Sequence, residues 1–321
     1  MNSPLSCRFL RPTANYGTEE RECALTLLRP ADNGINQPWY ACAKGVGYGY
    51  FKCCAATDPD MEELEVWMAF LGSRLGVSMA DTWLVLDQSG KKLGCFSLDV
   101  TPPNGTYTTA QQNKEQWLMH LDSPPVWAQT AAQLYQAAPT AEPLPDHRLS
   151  IVEDEAVLFP LLQFVYGVLS CDGQYDVAAG FTDMILLDSL VWQKDRNMHG
   201  FGLVQHAEGT PVMAPLYDNA SISLPGLPEG KVGFCNILCA PQLLIQCTAR
   251  LFPQHSHTFF LRLEHFLRQE KASFLQMQEY FLSKPYSSRM VQRIALWDAL
   301  AVDSGPCVRN KITKKREETQ T

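Results

Sequence analysis

The hydrophobic pattern changes period along this chain, and the change restricts the folds that the chain can adopt. Residues 20–100 hold short apolar segments bounded by turn residues, with one amphipathic helix among them. From Glu153 onward the chain is mainly helical in its pattern. Strands and helices that are separated in this way are typical of an α+β protein. The 321 residues suffice for about two domains or lobes.

The first hundred residues are predicted to form a β-rich unit with a single helix, in the order β-β-β-α-β-β. Strands are expected at 22–28, 38–44, 50–55, 82–86 and 92–100. The helix is expected over 60–75, opened by Asp58 or Asp60 and closed by Gly76. Its apolar residues share one face: Leu64, Met68, Leu71 and Leu75.

The whole chain is expected to divide into four segments. A β-rich N-lobe covers 1–102, and a connector with proline-rich loops covers 103–150. A helical C-lobe covers 151–308, and a flexible charged tail covers 309–321. Helices of the C-lobe are expected at 181–192, 241–252, 258–268, 271–282 and 287–300.

Composition excludes several classes of protein. The net charge of −8 argues against general nucleic-acid binding, because phosphate contacts need a basic surface. No run of 18 apolar residues is present, so no membrane span is expected. The N-terminus has no secretory pattern, and the eleven cysteines are an odd number. They are therefore expected to be reduced thiols in a cytoplasmic protein.

Two polar segments carry the candidate chemistry. Asp195 and Arg196 follow an apolar helix, and Asp218 lies 23 residues after Asp195. A hairpin between the two segments would bring the two carboxylates together. Mg²⁺ prefers one or two carboxylates plus substrate phosphates, and phosphoryl transfer needs an aspartate that orients the attacking hydroxyl. The pair therefore favours metal-assisted phosphate chemistry.

These two segments resemble the HipA-like kinases of bacteria, which are distant relatives of protein and phosphoinositide kinases. The family carries D-R-H-x-x-N-F-G, followed about twenty residues later by P-x-Y-D-N-G-S. This chain has D-R-N-M-H-G-F-G from Asp195 and P-L-Y-D-N-A-S from Pro215. The resemblance implies a two-lobed kinase-like fold, with a small β-rich N-lobe that has one helix and a larger helical C-lobe. It also implies ATP-dependent phosphoryl transfer to a Ser or Thr hydroxyl, with Mg²⁺.

The resemblance assigns roles to individual residues. Asp195 is the implied catalytic base, with Arg196 beside it, and Asp218 is the implied metal ligand. The family also has a strand lysine that pairs with a helix glutamate, and here Lys52 and Glu65 occupy those places. Lys44, at the end of the previous strand, is the rival to Lys52. The ion pair of Lys52 with Glu65 would aim the ammonium at the nucleotide phosphates.

One of two turns, together with one strand end, is expected to bind the rest of the nucleotide. Backbone N–H groups at either turn could cradle anions. The resemblance favours the turn that contains Gly34, Asn36 and Gln37 as the phosphate loop, because in this family that loop precedes the lysine strand by some distance. The turn at 45–49 is the alternative. The implied hinge for adenine is the strand end: Ser97, Leu98 and Asp99.

One position departs from the family pattern. The family has a second metal ligand, an asparagine, five residues after the catalytic aspartate, and here that position is Gly200. Asn197 or His199 would then complete the metal site, or one ion suffices, or activity is weakened or lost. The alternative to a kinase is therefore a pseudokinase that binds nucleotide or a protein partner. A protein substrate or an antitoxin-like partner is expected in addition to ATP.

Two further sets of residues have other interpretations. Cys235, Cys239, His255 and His257 are the residue types of a zinc site, but their spacing fits no common zinc pattern. Asp188, in the helix before Asp195, is expected to pair or cap structurally.

Overall fold

The computed structural model describes residues 4–31, 38–53, 61–120, 150–220 and 230–282, with single residues at 290, 293, 294 and 297. Its strands are β1 (Leu5–Pro12), β2 (Thr18–Pro30), β3 (Trp39–Ala43), β4 (Gly47–Cys53), β5 (Thr82–Leu86), β6 (Lys92–Leu98), β7 (Thr106–Thr109), β8 (Ser150–Val152), β9 (Gly202–Gln205), β10 (Val212–Met213), β11 (Val232–Phe234) and β12 (Ile237–Cys239). Its helices are α1 (Met61–Arg74), α2 (Ala110–His120), α3 (Glu155–Ser170), α4 (Ala178–Val191), α5 (Pro241–Leu251), α6 (Pro253–Gln269) and α7 (Lys271–Phe281). The protein is thus a mixed structure of helices and several sheets.

The first six strands form a closed antiparallel barrel in the order β1-β2-β3-β4-β6-β5. The five strands expected from the pattern are present. β1 was not expected, although Cys7 and Phe9 alternate with polar residues and point into the barrel, where both are fully buried. This strand pairs along its whole length with β2 and also with β5, so it closes the barrel. Sequence alone misses it because closure depends on partners far along the chain.

Helix α1 lies between the barrel and the helical part of the protein. It is buried on nearly all sides, not only on the one apolar face that the sequence predicts, and Glu62 and Glu65 are buried with its apolar residues. Trp67 is fully buried and packs on Phe274 of α7, with ring centroids 4.7 Å apart. Gly76 ends the helix at φ +72°, as expected, and the Val77 N–H donates to the Gly72 carbonyl at 2.9 Å. Asp58 and Asp60 lie outside the described residues.

Part of the segment expected as a connector is ordered instead. Residues 106–120 form β7 and α2, and β7 joins the sheet β10-β9-β7. The sequence carries the signal for this helix start: Thr109 accepts the Gln112 N–H at 3.2 Å, and the Gln112 side chain accepts the Thr109 N–H at 2.9 Å. This is a capping box, which satisfies two backbone donors reciprocally.

The helices expected after residue 153 agree with the structure to within a few residues where they are described. α4, α5, α6 and α7 match four of the expected ranges, and α3 precedes them. Most of the helix expected at 287–300 and the whole tail at 309–321 lie outside the described residues. Within the described part of the chain, no helix combines the length and apolarity needed to cross a bilayer.

Candidate active site

Asp195 lies on a loop, residues 192–201, that we call the Asp195 loop. It connects α4 to β9 and is hydrogen-bonded to β11 and to Cys235, the residue that follows β11. The Gly233 N–H donates to the Gln193 carbonyl at 2.7 Å, and the Cys235 N–H donates to the Arg196 carbonyl at 2.8 Å. A Cβ atom at Gly233 would lie 2.1 Å from the Lys194 carbonyl oxygen, so only glycine allows this close approach.

Asp218 lies on a second loop, residues 214–220, that we call the Asp218 loop. The β9–β10 hairpin returns the chain to this loop beside the Asp195 loop, as the sequence predicted. Asp218 has φ +57°, a left-handed conformation that is uncommon outside glycine but best tolerated by Asn and Asp. Non-glycine residues in this conformation concentrate at functional sites.

Gln193 joins the two loops and was missed by sequence reasoning. Its side chain is fully buried. Its Nε2 donates to the Asp218 carbonyl at 3.1 Å, while its Oε1 accepts the Lys194 N–H at 2.8 Å. Its place two residues before Asp195 is its only sequence signal, because its acceptor lies 25 residues away.

Arg196, for which the resemblance implies a catalytic role, is hydrogen-bonded entirely within the protein. Its side chain is buried and uses all five N–H donors within the protein. Two reach the Asp188 carboxylate at 2.8 and 3.0 Å, and one reaches the Asn219 side chain at 2.7 Å. The last two reach the Gly200 and Tyr217 carbonyls at 3.2 and 3.1 Å. No donor of this guanidinium remains for a substrate, so Arg196 holds the two loops together.

Lys52 contacts Asp218 directly. Its Nζ lies 2.5 Å from Asp218 Oδ1, and the Asp218 side chain is about half exposed, at 49%. The Lys52 ammonium, its nearest cation, lowers the pKa of Asp218 below its usual value. Burial opposes the charge on Lys52, but the carboxylates of Asp218 and Glu65 outweigh it and raise the pKa of this lysine. The rival, Lys44, is exposed in the β3–β4 turn at the other end of β4.

Glu65 has a different partner from the one expected. Its carboxylate accepts backbone N–H groups of the Asp218 loop, from Asn219 at 2.7 and 2.9 Å and from Ala220 at 2.8 Å. The predicted direct pair of Lys52 with Glu65 is therefore replaced by a pair of Lys52 with Asp218, and Glu65 acts on Lys52 only through its charge. Glu65 fixes the backbone that presents Asp218.

Asn197 holds the Asp195 side chain rather than standing free as a metal ligand. Its Nδ2 donates to Asp195 Oδ1 at 3.1 Å, and its Oδ1 accepts the His199 N–H at 3.0 Å. Asp195 itself is exposed, so a substrate hydroxyl could reach it. The imidazole of His199 is exposed, and its carbonyl accepts the Tyr217 hydroxyl at 3.2 Å.

Two tyrosines brace the loops from the side of β7. The hydroxyls of Tyr107 and Tyr217 lie 2.7 Å apart, and their rings meet edge to face at 6.1 Å. Burial raises the pKa of both hydroxyls above its usual value. Sequence reasoning missed this pair because the two residues are 110 positions apart.

The residues of the expected adenine hinge already have hydrogen-bond partners within the protein. The N–H groups of Leu98 and Asp99 already donate to the Asp81 and Tyr48 carbonyls, at 2.8 and 3.0 Å. Ser97 is buried and bonded to Thr82 at 3.2 Å. In this structure, therefore, Leu98 and Asp99 do not offer the backbone donors that adenine would need. The chain crosses from β6 to β7 at 99–105, immediately after this strand end.

Other expected site residues fall in different places. The phosphate-loop residues Gly34, Asn36 and Gln37 lie outside the described part of the chain. Cys235 and Cys239 are buried, and burial raises the pKa of the Cys239 thiol to about 12. Among the residues that the structure describes, these cysteines and histidines do not gather into a cluster that could hold a zinc ion.

The donor set of the site suits Mg²⁺. Within the described residues, no cluster of three or more His, Cys, Asp or Glu side chains could hold a metal ion by itself. Mg²⁺ is commonly held by one or two carboxylates together with substrate phosphates. Asp218 is a half-exposed carboxylate next to a lysine, so it fits that kind of site.

Comparison with known proteins shows the fold. No known protein-family profile and no curated protein sequence matches the chain. The crystal structure of the proinflammatory kinase CtkA of Helicobacter pylori aligns with a TM-score of 0.56 and 13% identity, over 88% of this chain and 94% of that chain. The predicted resemblance to HipA-like kinases is confirmed at the level of the fold.

A second solved structure is also similar. It is HipA of Shewanella oneidensis MR-1, in the toxin–antitoxin complex with HipB and its operator DNA. It aligns with a TM-score of 0.44 and 9% identity over 87% of this chain, which spans 64% of that chain.

Proposed function

We propose that this protein is a HipA-like kinase that transfers a phosphoryl group from ATP to a Ser or Thr hydroxyl of a protein. The barrel with α1 forms a small N-lobe, the helices from α3 onward form the C-lobe, and the nucleotide lies between them. The observation that carries the proposal is the contact of Lys52 with Asp218, next to Glu65. These contacts bring the barrel, α1 and the Asp218 loop together at one point. Phosphate binding needs a lysine and a metal-binding carboxylate that are close together in this way.

Each residue of the site has its own role in the proposed reaction. Lys52 binds the nucleotide phosphates, and Asp218 holds Mg²⁺. When bound, Mg²⁺ neutralises the charge that develops on the transferred phosphoryl group. Asp195 accepts the proton of the acceptor hydroxyl, with Asn197 orienting its carboxylate at 3.1 Å. Arg196 and Gln193 hold the Asp195 loop and the Asp218 loop in fixed positions relative to each other.

The second candidate function is a pseudokinase that binds nucleotide without efficient transfer. The observation that favours it is Gly200, which has no side chain to coordinate a metal ion. Asn197, which could have compensated, already holds Asp195 and the His199 backbone. An antitoxin-like protein partner is compatible with both the kinase and the pseudokinase.

ATP with Mg²⁺ is expected to raise the melting temperature more than Mg²⁺ alone. A ligand at 100 times its dissociation constant stabilises the folded state by about 2.7 kcal/mol. Differential scanning fluorimetry across an ATP titration measures this, and mass spectrometry of the same samples detects autophosphorylation. Stabilisation without phosphorylation selects the pseudokinase. An unchanged melting temperature at saturating ATP contradicts both functions.

Replacing Gly200 by Asn is expected to tighten Mg²⁺ binding in the presence of ATP by about tenfold or more, the scale on which changes around a metal site act. The backbone permits the change, because Gly200 is outside the positive φ region and an added Cβ meets only the Asn197 carbonyl at 3.5 Å. Isothermal titration of Mg²⁺ into the ATP complex measures the effect. The matched control is Gly209→Asn in the β9–β10 turn, which should leave the affinity unchanged. Equal affinities in wild type and Gly200→Asn, with loss of activity in His199→Ala, would show that His199 already fills this role.

A further inference from the structure

The Lys52–Asp218 contact has a consequence for the order of binding. The ammonium lies 2.5 Å from the same carboxylate that is proposed to hold the metal ion. Lys52 is more enclosed than its partner, with 26% of its side chain exposed against 49% for Asp218. In the ligand-free protein, therefore, the candidate metal ligand is already paired with a cation.

The surroundings keep Lys52 in this pair. Glu65, the other nearby carboxylate, is turned to the backbone N–H groups of Asn219 and Ala220. The nearest guanidinium, Arg196, is neutralised by Asp188 in a buried pair. Lys52 therefore balances the charge of Asp218, and a divalent ion that approached Asp218 would meet the ammonium at contact distance.

We propose that Lys52 is an internal counter-cation that keeps divalent metal ions off Asp218 until the phosphates of a nucleotide draw the ammonium away. Metal ion and nucleotide then bind together, and the metal ion alone binds weakly. The inference rests on the proposed function, since it takes Asp218 as the metal ligand and Lys52 as the phosphate ligand.

The chemistry of lysine suits such an exchange. Its ammonium is a compact charge on a flexible stem, so it can leave one anion for another without rearrangement of β4. The phosphates of a nucleoside triphosphate carry several negative charges and attract it more strongly than a single carboxylate does. Once the ammonium is on the phosphates, both Asp218 and the phosphates are available to a metal ion.

The test is Mn²⁺ binding without nucleotide, measured by isothermal titration and by the electron paramagnetic resonance signal of free Mn²⁺. Lys52→Gln is expected to bind Mn²⁺ at least about tenfold more tightly than wild type, a difference of about 1.4 kcal/mol. Lys52→Arg keeps a cation and should bind as weakly as wild type. Lys44→Gln removes the same charge from the far end of β4 and is the matched control.

A double variant tests whether the gain in Mn²⁺ affinity depends on Asp218, and a stability measurement tests whether each variant folds. Asp218→Asn added to Lys52→Gln should abolish the gain in Mn²⁺ affinity, which ties the gain to this carboxylate. Circular dichroism melting identifies any variant that does not fold. If Lys52→Gln does not fold, Lys52→Met, which keeps the apolar stem, takes its place. Equal Mn²⁺ affinities in wild type, Lys52→Gln and Lys52→Met would overturn the inference, as would an equal gain in Lys44→Gln.

Titration with β,γ-imido-ATP separates this inference from the proposed function. In wild type the analogue should raise Mn²⁺ affinity by a larger factor than in Lys52→Gln, because only wild type has an ammonium to remove. If the analogue does not bind at all while Lys52→Gln still gains Mn²⁺ affinity, the proposed function fails and the metal-blocking role of Lys52 stands. If the analogue raises Mn²⁺ affinity by the same factor in both proteins, the blocking role fails and the proposed function stands.

Discussion

Replacing Asp195 by Asn is expected to lower phosphoryl transfer by about 10²–10⁴-fold, the usual contribution of a general base. The Asn side chain has almost the same shape, but it cannot take the proton of the acceptor hydroxyl. The proposal has no contact between Asp195 and the nucleotide, so ATP affinity should stay at the wild-type value. Release of ADP and incorporation of labelled phosphate measure the rate, and thermal shift with ATP measures binding.

Asp218→Ala is the comparison variant for this prediction. It should lose metal-dependent ATP binding as well as transfer, because Asp218 is proposed to act on the metal ion rather than on the acceptor. Asn197→Ala should fall between wild type and Asp195→Asn in rate, since its amide holds Asp195 at 3.1 Å. Transfer at the wild-type rate in Asp195→Asn would remove Asp195 from the mechanism.

Replacing Arg196 by Met is expected to lower the free energy of unfolding by about 3–5 kcal/mol, the effect of removing one partner of a buried ion pair. The substitution leaves the carboxylate of Asp188 buried without its cation. It also leaves the Asn219 side chain and the Gly200 and Tyr217 carbonyls without a donor. Chemical denaturation followed by tryptophan fluorescence measures the loss.

Two further variants test the cause of that loss. Arg268→Met removes an exposed guanidinium that pairs with Glu264 one helical turn away, and it should change stability by about 0.5 kcal/mol or less. The double variant Arg196→Met with Asp188→Leu removes both buried charges, so it should lose less than the sum of the two single variants. Additive losses in the double variant would mean that the pair does not explain the stability of this region.

The local parts of the structure were predictable from the sequence. Helix α1 and its Gly76 end, the β5–β6 hairpin and helices α4 to α7 follow from apolar spacing and turn residues, which are properties of neighbouring positions. The place of Asp195 and Asp218 on adjacent loops also followed, because a short hairpin must return the chain. The capping box at Thr109 and Gln112 was readable too, although the connector prediction overlooked it.

The partners of each side chain were decided only by the tertiary structure. The strand β1 closes the barrel through β2 and β5, which lie at different distances along the chain, so its own eight residues cannot specify the closure. The same holds for the polar contacts. Sequence could not show that Arg196 is a buried brace, because its five acceptors come from three separate segments.

Lys52 shows most clearly which properties follow from the sequence and which depend on the tertiary structure. The resemblance to HipA-like kinases marked Lys52 as the phosphate-binding candidate, with Lys44 as its rival. Whether the Lys52 ammonium contacts Glu65 or Asp218 depends on where α1 and the Asp218 loop pack against β4. In the structure the Glu65 carboxylate accepts the backbone N–H groups of Asn219 and Ala220, and the ammonium contacts Asp218. Sequence determines which charges are present, but packing determines the distances between them, and charge interactions depend on distance.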